Sequence, residues 1–199
     1  MWRWLVVGLW LAATLASAAE LRVTVRDARG QPLPEAVVML ESPQAARAVK
    51  PLMGVEMVQR DKTFIPQVLV VTRGTAVSFP NQDTVRHHVY SLSPAKPFEI
   101  KLYAGTPANP VVFDRAGVVL LGCNIHDHMV GWIVVADTPY HGLTDPKGTT
   151  RLAPVPAGAY ALVVWHPDLP VGSNGVRRAV TLRDGAPVVV DVVLAEVGR

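Results

Sequence analysis

The run GCNIHDHM at residues 122–129 places three metal-binding side chains in one short segment. Cys123 offers a thiolate, His126 an imidazole and Met129 a weak thioether. A second imidazole is available upstream in the run VRHHVYS, at residues 85–91. Two imidazoles, a thiolate and a distant thioether are typical of copper sites that transfer electrons. The sequence therefore predicts one copper ion, bound by these three residues and an upstream histidine.

Cys123 is the single cysteine of 199 residues, so it cannot form an internal disulfide. The first 18 residues have the form of a signal peptide, with Arg3, an apolar stretch and the small-residue cleavage site Ala16-Ser17-Ala18. An uncleaved N-terminal anchor is the alternative. We expect a periplasmic or otherwise exported protein. A lone cysteine in an oxidising compartment is a free thiol, an intermolecular disulfide or a metal thiolate.

Charge and hydropathy exclude several classes of partner. Removing residues 1–18 leaves 18 basic and 16 acidic side chains, a formal charge of +2 without any Lys/Arg cluster. We therefore expect no nucleic-acid binding. No later apolar run is long enough for a membrane span, so we expect none after signal cleavage. We expect a monomer.

The rest of the chain predicts an all-β protein. Short Val-rich runs are separated by Gly, Pro, Asn and Asp turns at regular intervals, which is typical of β-sandwiches. A helical turn is expected near residues 45–50. We predict twelve strands, near residues 21–26, 35–41, 67–72, 75–80, 87–93, 98–102, 111–113, 117–123, 129–136, 159–165, 176–182 and 187–194.

The middle segment, residues 52–138, resembles the cupredoxin family. The similarity is carried by Phe64-x-Pro66, Val71-x-x-Gly74-x-x-Val77-x-Phe79, Asn81-x-Asp83-x-x-x-His87 and Cys123-x-x-His126-x-x-Met129. The loop spacing is similar to that of amicyanin, and exported proteins labelled as methylamine-utilisation proteins share the HHVYS and GCNIHDHM-like runs. The resemblance implies a Greek-key β-sandwich with a type 1 copper ion on His87, Cys123, His126 and Met129.

Three alternatives remain within this ligand set. Adjacent strand residues point to opposite faces, so His87 and His88 cannot normally reach one metal ion; the family spacing favours His87. His128 could replace Met129 as the axial group. Zinc on His87, Cys123, His126 and Asp127 is the competing metal site, although methionine is a poor zinc ligand. His141 and His166 have no partners at ligand spacing, so we expect surface or packing roles for them.

The two ends of the mature chain resemble a transthyretin-like, carboxypeptidase-regulatory-like β-sandwich. The matching elements are Val25 to Leu40, Thr144-Asp145-x-x-Gly148 and Pro156-Ala157-Gly158-Ala159-Tyr160. The resemblance implies a discontinuous, Ig-like domain of residues 20–45 plus 139–197, with the copper domain inserted into or joined to it. The strands before residue 42 are then expected to pair with strands beyond residue 140.

These features favour an exported one-electron carrier that docks on a redox partner protein, such as a dehydrogenase or a cytochrome. The same sequence is compatible with two other functions: a copper-binding or trafficking protein without a redox role, and a cell-envelope module that binds carbohydrate-like ligands. We do not expect an enzyme. Six histidines are too few for a trinuclear copper cluster beside this site, and no Ser-His-Asp order is evident.

Overall fold

The computed structural model describes residues 18–197. Residues 1–17 of the predicted signal peptide lie outside the described residues, and Ala18 begins the first strand. No helix within residues 18–197 is long and apolar enough to cross a membrane. The elements are β1 (Ala18–Asp27), β2 (Val37–Glu41), α1 (Pro43–Ala48), β3 (Val55–Glu56), β4 (Val58–Arg60), β5 (Thr63–Ile65), β6 (Val68–Thr72), β7 (Thr75–Ser78), β8 (His87–Ser91), β9 (Phe98–Tyr103), β10 (Val111–Phe113), β11 (Gly117–Cys123), β12 (Val130–Ala136), β13 (His141–Leu143), β14 (Thr149–Pro156), β15 (Gly158–Trp165), β16 (Val176–Leu182) and β17 (Pro187–Leu194).

The predicted all-β class is confirmed, and each of the twelve predicted segments overlaps a strand. The sequence did not predict β3, β4, β5, β13 or β14. β14 contains Pro154 and Pro156, which argue against a central strand, and it lies at the edge of its sheet, where proline is tolerated. The helical turn is α1, whose first turn is capped by the Ser42 side chain accepting from the Ala45 N–H at 3.0 Å.

The end region, which we define as β1, β2 and β13–β17, consists of two sheets. One has the order β14-β1-β17 and the other β13-β2-β15-β16. β1 pairs with β14 and β17, and β2 pairs with β13 and β15, so both early strands pair with strands beyond residue 140, as expected. Leu21, Val23 and Val25 of β1 pack in one core with Leu40 and Leu162. This packing of one sheet on another makes a sandwich.

The middle region, which we define as β3–β12, contains a five-stranded sheet of order β6-β12-β11-β8-β9 and a three-stranded sheet of order β10-β7-β3. A second core lies within it and includes Phe79, Phe113, Val119, Leu121 and Cys123. In β11 buried and half-buried residues alternate, so Val119, Leu121 and Cys123 share the inner face. This alternation directs the cysteine side chain into a packed interior.

The outer face of the five-stranded sheet packs against the end region. Val68, Val134 and Ala136 belong to the core of the end region, and the indole rings of Trp132 and Trp165 lie 6.5 Å apart between centroids. β2 and β15 are therefore covered on both faces, which explains their continuous apolar runs VVML and LVVW. The domain boundaries at residues 20–45 plus 139–197 and 52–138 remain predictions.

Candidate metal centre

The Cys123 loop is held between two neighbouring strands of the five-stranded sheet. Cys123 ends β11, and β12 begins at Val130, so residues 124–129 make the connection. The Asn124 N–H donates to the carbonyl of His88 at 3.1 Å, and the Met129 N–H donates to the carbonyl of His126 at 2.9 Å. These bonds fix a short turn in which His126 is brought back toward Cys123.

Three of the predicted ligands lie together. The Sγ atom of Cys123 is 3.7 Å from Nδ1 of His87 and 3.7 Å from Nδ1 of His126. The donor atoms of the three residues all lie within 4.8 Å of one another, and the two imidazole centroids are 5.0 Å apart. His87 and Cys123 are 36 residues apart in the chain, and they come together because β8 and β11 pair directly.

His87 and His88 point to opposite sides of β8, as strand geometry requires. The His87 side chain is fully buried, whereas His88 is partly exposed and its Nε2 lies 2.7 Å from a carboxylate oxygen of Glu99. His88 is thus engaged away from Cys123. The structure places His87, and not His88, beside the thiol.

Asp83 orients the His87 ring. The His87 Nε2–H donates to Oδ2 of Asp83 at 2.8 Å, which leaves the Nδ1 lone pair facing Cys123. Burial alone would raise the pKa of Asp83, but hydrogen bonds from the Lys62 N–H, from His87 and from the Asp61 N–H lower it. The ionised carboxylate therefore fixes the tautomer of the histidine.

The role of Asp83 was not predicted, although the spacing Asn81-x-Asp83-x-x-x-His87 contained it. The Asn81 side chain accepts from the Asp83 N–H at 2.9 Å and donates to the carbonyls of Val85 and Tyr103. This turn, held by one buried amide, places the carboxylate under His87. A carboxylate four residues before a ligand histidine is the sequence signal that could have indicated it.

Burial differs between the predicted ligands. His87, Cys123 and Met129 are all at least 96% buried, whereas His126 is half-buried. Desolvation, together with His87, Lys62 and His128, lowers the pKa of His126, so its neutral imidazole is favoured. A neutral ring with an available lone pair is the form that binds metal ions.

Met129 and His128 occupy different environments. Met129 is 1% exposed and belongs to the same core as Cys123, whereas His128 and Asp127 are exposed. The His128 ring centroid lies 6.2 Å from that of His126. Among residues 18–197, the group that brings donor atoms to ligand distance is His87, Cys123 and His126, without Asp127.

A polar cluster lies next to the His87 side of the site. Tyr103 is paired with His87 across β8 and β9, and its hydroxyl donates to the carbonyl of Phe79 at 2.8 Å. The Gln59 amide donates to that carbonyl and to the Tyr103 hydroxyl. Burial, opposed by the Gln59 hydrogen bond and assisted by Cys123, raises the pKa of Tyr103 to about 12. Tyr103 is therefore a neutral phenol at physiological pH.

The two sulfur–nitrogen pairs have the separation that a single metal ion requires. An ion about 2.0 Å from nitrogen and about 2.3 Å from sulfur, at an angle near 110–120°, separates those atoms by about 3.5–3.7 Å. The two sulfur–nitrogen distances of 3.7 Å agree with this value. A thiolate with two imidazoles suits copper or zinc, and a buried thioether nearby favours copper.

Among solved structures, the chain is similar to amicyanin variants and to a purple cupredoxin. The chain is similar to an amicyanin variant in its reduced Cu(I) form, at 21% identity and a TM-score of 0.37 over 50% of this chain and 98% of that chain. An oxidised amicyanin variant is 22% identical, with a TM-score of 0.38, over 51% of this chain and 99% of that chain. A purple cupredoxin from Nitrosopumilus maritimus is 23% identical, with a TM-score of 0.36, over 41% of this chain and 96% of that chain. No family model and no curated protein matches the chain.

Proposed function

We propose that this protein is an exported carrier of single electrons that binds one type 1 copper ion. His87, Cys123 and His126 would hold the ion, and Met129 would be the weak axial donor. The observation that supports this most directly is the position of the Cys123 sulfur, 3.7 Å from a ring nitrogen of each histidine. The ion would supply the one-electron couple between Cu(I) and Cu(II).

The residues of the chain would then serve three purposes. Asp83 holds the His87 ring in one tautomer and orientation, and the packed core around Cys123 limits rearrangement and keeps out water. His126 is less buried than the other three proposed ligands, so its ring edge is the place where a partner protein can approach. Exposed Ile125, beside it, offers apolar surface for a weak redox encounter.

The wider assignment is also a proposal. Residues 52–138 would be a cupredoxin domain of the methylamine-utilisation-protein type, and residues 20–45 plus 139–197 a transthyretin-like sandwich. We propose a periplasmic monomer, not an enzyme, whose partner is a dehydrogenase or a cytochrome. The similarity of the 122–129 run to the amicyanin loop and the signal-like residues 1–18 support these points.

The experiment is a copper titration of the purified, metal-free protein. One equivalent of Cu(II) should give an intense visible absorption from the copper–thiolate bond, an EPR spectrum with narrow copper hyperfine splitting, and reversible one-electron voltammetry. Cys123→Ser should abolish the visible band, because serine supplies no soft thiolate. His88→Ala, which changes a histidine bound to Glu99, should retain it. A colourless wild-type complex would contradict the proposal.

Copper trafficking is the second candidate. His126 is half-buried, and His128 follows it on the exposed side of the loop, so copper could be reached from solvent. A trafficking protein would bind Cu(I) without colour and would release it to a competing chelator. Stable retention of copper through repeated oxidation and reduction would favour the carrier instead.

A further inference from the structure

A cavity of about 890 Å³ lies between the two regions, on the outer face of the five-stranded sheet. Tyr90, Leu120 and Trp132 line it from the middle region, and Trp165 and Leu169 line it from the end region. Small-molecule sites typically measure about 300–1,000 Å³ and often lie between domains. The cavity is therefore large enough for an organic ligand.

The cavity borders the candidate metal centre, because Leu121, Cys123 and Met129 are among its lining residues, while Leu120 and Trp132 line it from the opposite face of the sheet. In β11 the Cys123 and Leu121 side chains enter the inner core, while Leu120 and Gly122 lie on the opposite face. Tyr90 pairs with Gly122, and a Cβ atom on Gly122 would lie 2.9 Å from Cζ of Tyr90. The missing side chain at Gly122 thus makes room for the Tyr90 ring against β11.

The lining is aromatic and partly uncovered. The Trp132 and Trp165 rings are inclined by 56° to each other at a centroid distance of 6.5 Å, and Tyr90 adds a third ring. Leu92 and Val171 line the same cavity from opposite regions while 84% and 90% exposed. A ligand that covers these two side chains removes apolar surface from water, which favours binding of an apolar molecule.

The polar groups of the lining favour a ligand without charge. Arg115 and Asp127 are its two charged side chains and have opposite signs, and the Arg115 guanidinium already donates to the carbonyl of Pro94 at 3.2 Å. The Tyr90 hydroxyl forms no hydrogen bond with any residue of the described range 18–197. It can therefore bind one polar group of a ligand.

We propose that this cavity binds an uncharged, planar aromatic molecule carrying a hydrogen-bonding substituent. The partly exposed rings of Tyr90 and Trp132 supply edge and face contacts for the ligand ring, Trp165 is buried beside Trp132, and the Tyr90 hydroxyl meets the ligand's substituent. The binding needs no metal ion and is tested on the metal-free protein, so its failure and a failure of the copper assignment are distinguishable although Cys123 and Met129 border the cavity.

The test is a fluorescence titration of the metal-free protein with N-phenyl-1-naphthylamine, an uncharged aromatic probe whose emission rises in apolar surroundings. We expect saturation at one probe per protein chain. The sulfonated analogue of the probe should bind about tenfold more weakly or worse, because the lining has no net positive charge. Lack of saturation, or tighter binding of the sulfonated analogue, would overturn the proposal.

Two substitutions localise the binding. Leu120→Arg puts a charge into the cavity floor and should weaken probe binding by about tenfold or more. Val189→Arg, the matched change at a valine of β17 that is 66% exposed outside the cavity, should leave binding unchanged. Equal binding by Leu120→Arg and wild type would sink the proposal.

A second variant covers the case in which Leu120→Arg does not fold. Leu92→Asp combined with Val171→Asp changes two largely exposed side chains of the lining, and near-UV circular dichroism checks its fold. This folded variant should also bind the probe more weakly, and wild-type affinity would count against the site. Sedimentation during the titration must show a monomer throughout, because a dimer that the probe dissociates would mean that a second copy occupies the cavity.

Discussion

Two buried histidines, one in each region, have different partners. His166, in the end region, uses both ring nitrogens on backbone groups: Nε2 contacts the carbonyl of Pro34 at 3.1 Å, and Nδ1 accepts from the Asp168 N–H at 3.1 Å. His87, in the middle region, uses Nε2 on a carboxylate, and its Nδ1 faces the Cys123 sulfur. A buried histidine is thus a candidate metal ligand where one of its ring nitrogens faces another metal-binding side chain instead of a backbone group.

The same contrast applies to the cores that surround them. The core around His87 contains one thiol, Cys123, and two thioethers, Met57 and Met129, next to a second imidazole. The core of the end region consists of aliphatic and aromatic side chains with Met39, and its histidine at position 166 is tied to the chain backbone. Soft donors are concentrated in one region, and that region is where we propose a copper ion.

The largest expected effect comes from exchanging the two histidines for alanine, one at a time. His87→Ala removes a proposed ligand and should weaken copper binding by more than about 100-fold. His166→Ala leaves two backbone groups unpaired and should cost about 1–3 kcal/mol of unfolding free energy while copper binding is retained. Copper competition titrations and chemical denaturation measure the two quantities. Loss of copper binding by the folded His166→Ala protein would break the comparison.

The carboxylate partner of His87 gives the next effect. Asp83→Asn removes the charge that fixes the Nε2–H tautomer, and we expect copper affinity to fall by about 10–100-fold, with a change in the visible spectrum. Glu99→Gln is the matched control, because Glu99 contacts His88 on the other face of β8. A purely structural role for Asp83 would lower stability and leave the spectrum of the bound copper unchanged.

Whether a feature could be predicted from the sequence depends on how far apart in the chain its interacting residues lie. Cys123, His126 and Met129 come from one short loop, and strand alternation predicts that only one of His87 and His88 faces it; the choice of His87 came from the resemblance to the cupredoxin spacing. The role of Asp83 depends on a turn held by the Asn81 side chain. The cavity depends on Trp132 and Trp165 meeting between two sheets, 33 positions apart in the chain, which no local pattern encodes.

Met129→Leu should affect the potential more than the affinity. Leucine keeps an apolar side chain in a site that is 1% exposed, but it removes a weak sulfur donor. We expect copper affinity to change by less than about tenfold and the reduction potential to rise, because the axial ligand tunes it. Met57→Leu changes a fully buried methionine of the same core and should leave the potential at the wild-type value. An unchanged potential in Met129→Leu would remove Met129 from the ligand set.

The smallest effect is expected in the end region and concerns stability against pH. Glu20 of β1 accepts hydrogen bonds from Arg151 and Arg22, each at 2.6 Å, and these bonds lower its pKa from 4.5 to about 2. Because the pKa is lower in the folded protein, this stabilisation is present above about pH 4.5 and is lost as the pH falls through that value toward 2. Glu20→Gln should therefore have a lower Tm than wild type near about pH 6, and the difference should shrink below about pH 4.

Glu196→Gln, at an exposed glutamate that forms no ion pair with residues 18–197, should have the wild-type Tm near about pH 6. A Tm difference for Glu20→Gln that grows as the pH falls would contradict the assignment, because a group with a lowered pKa loses its stabilising effect in acid.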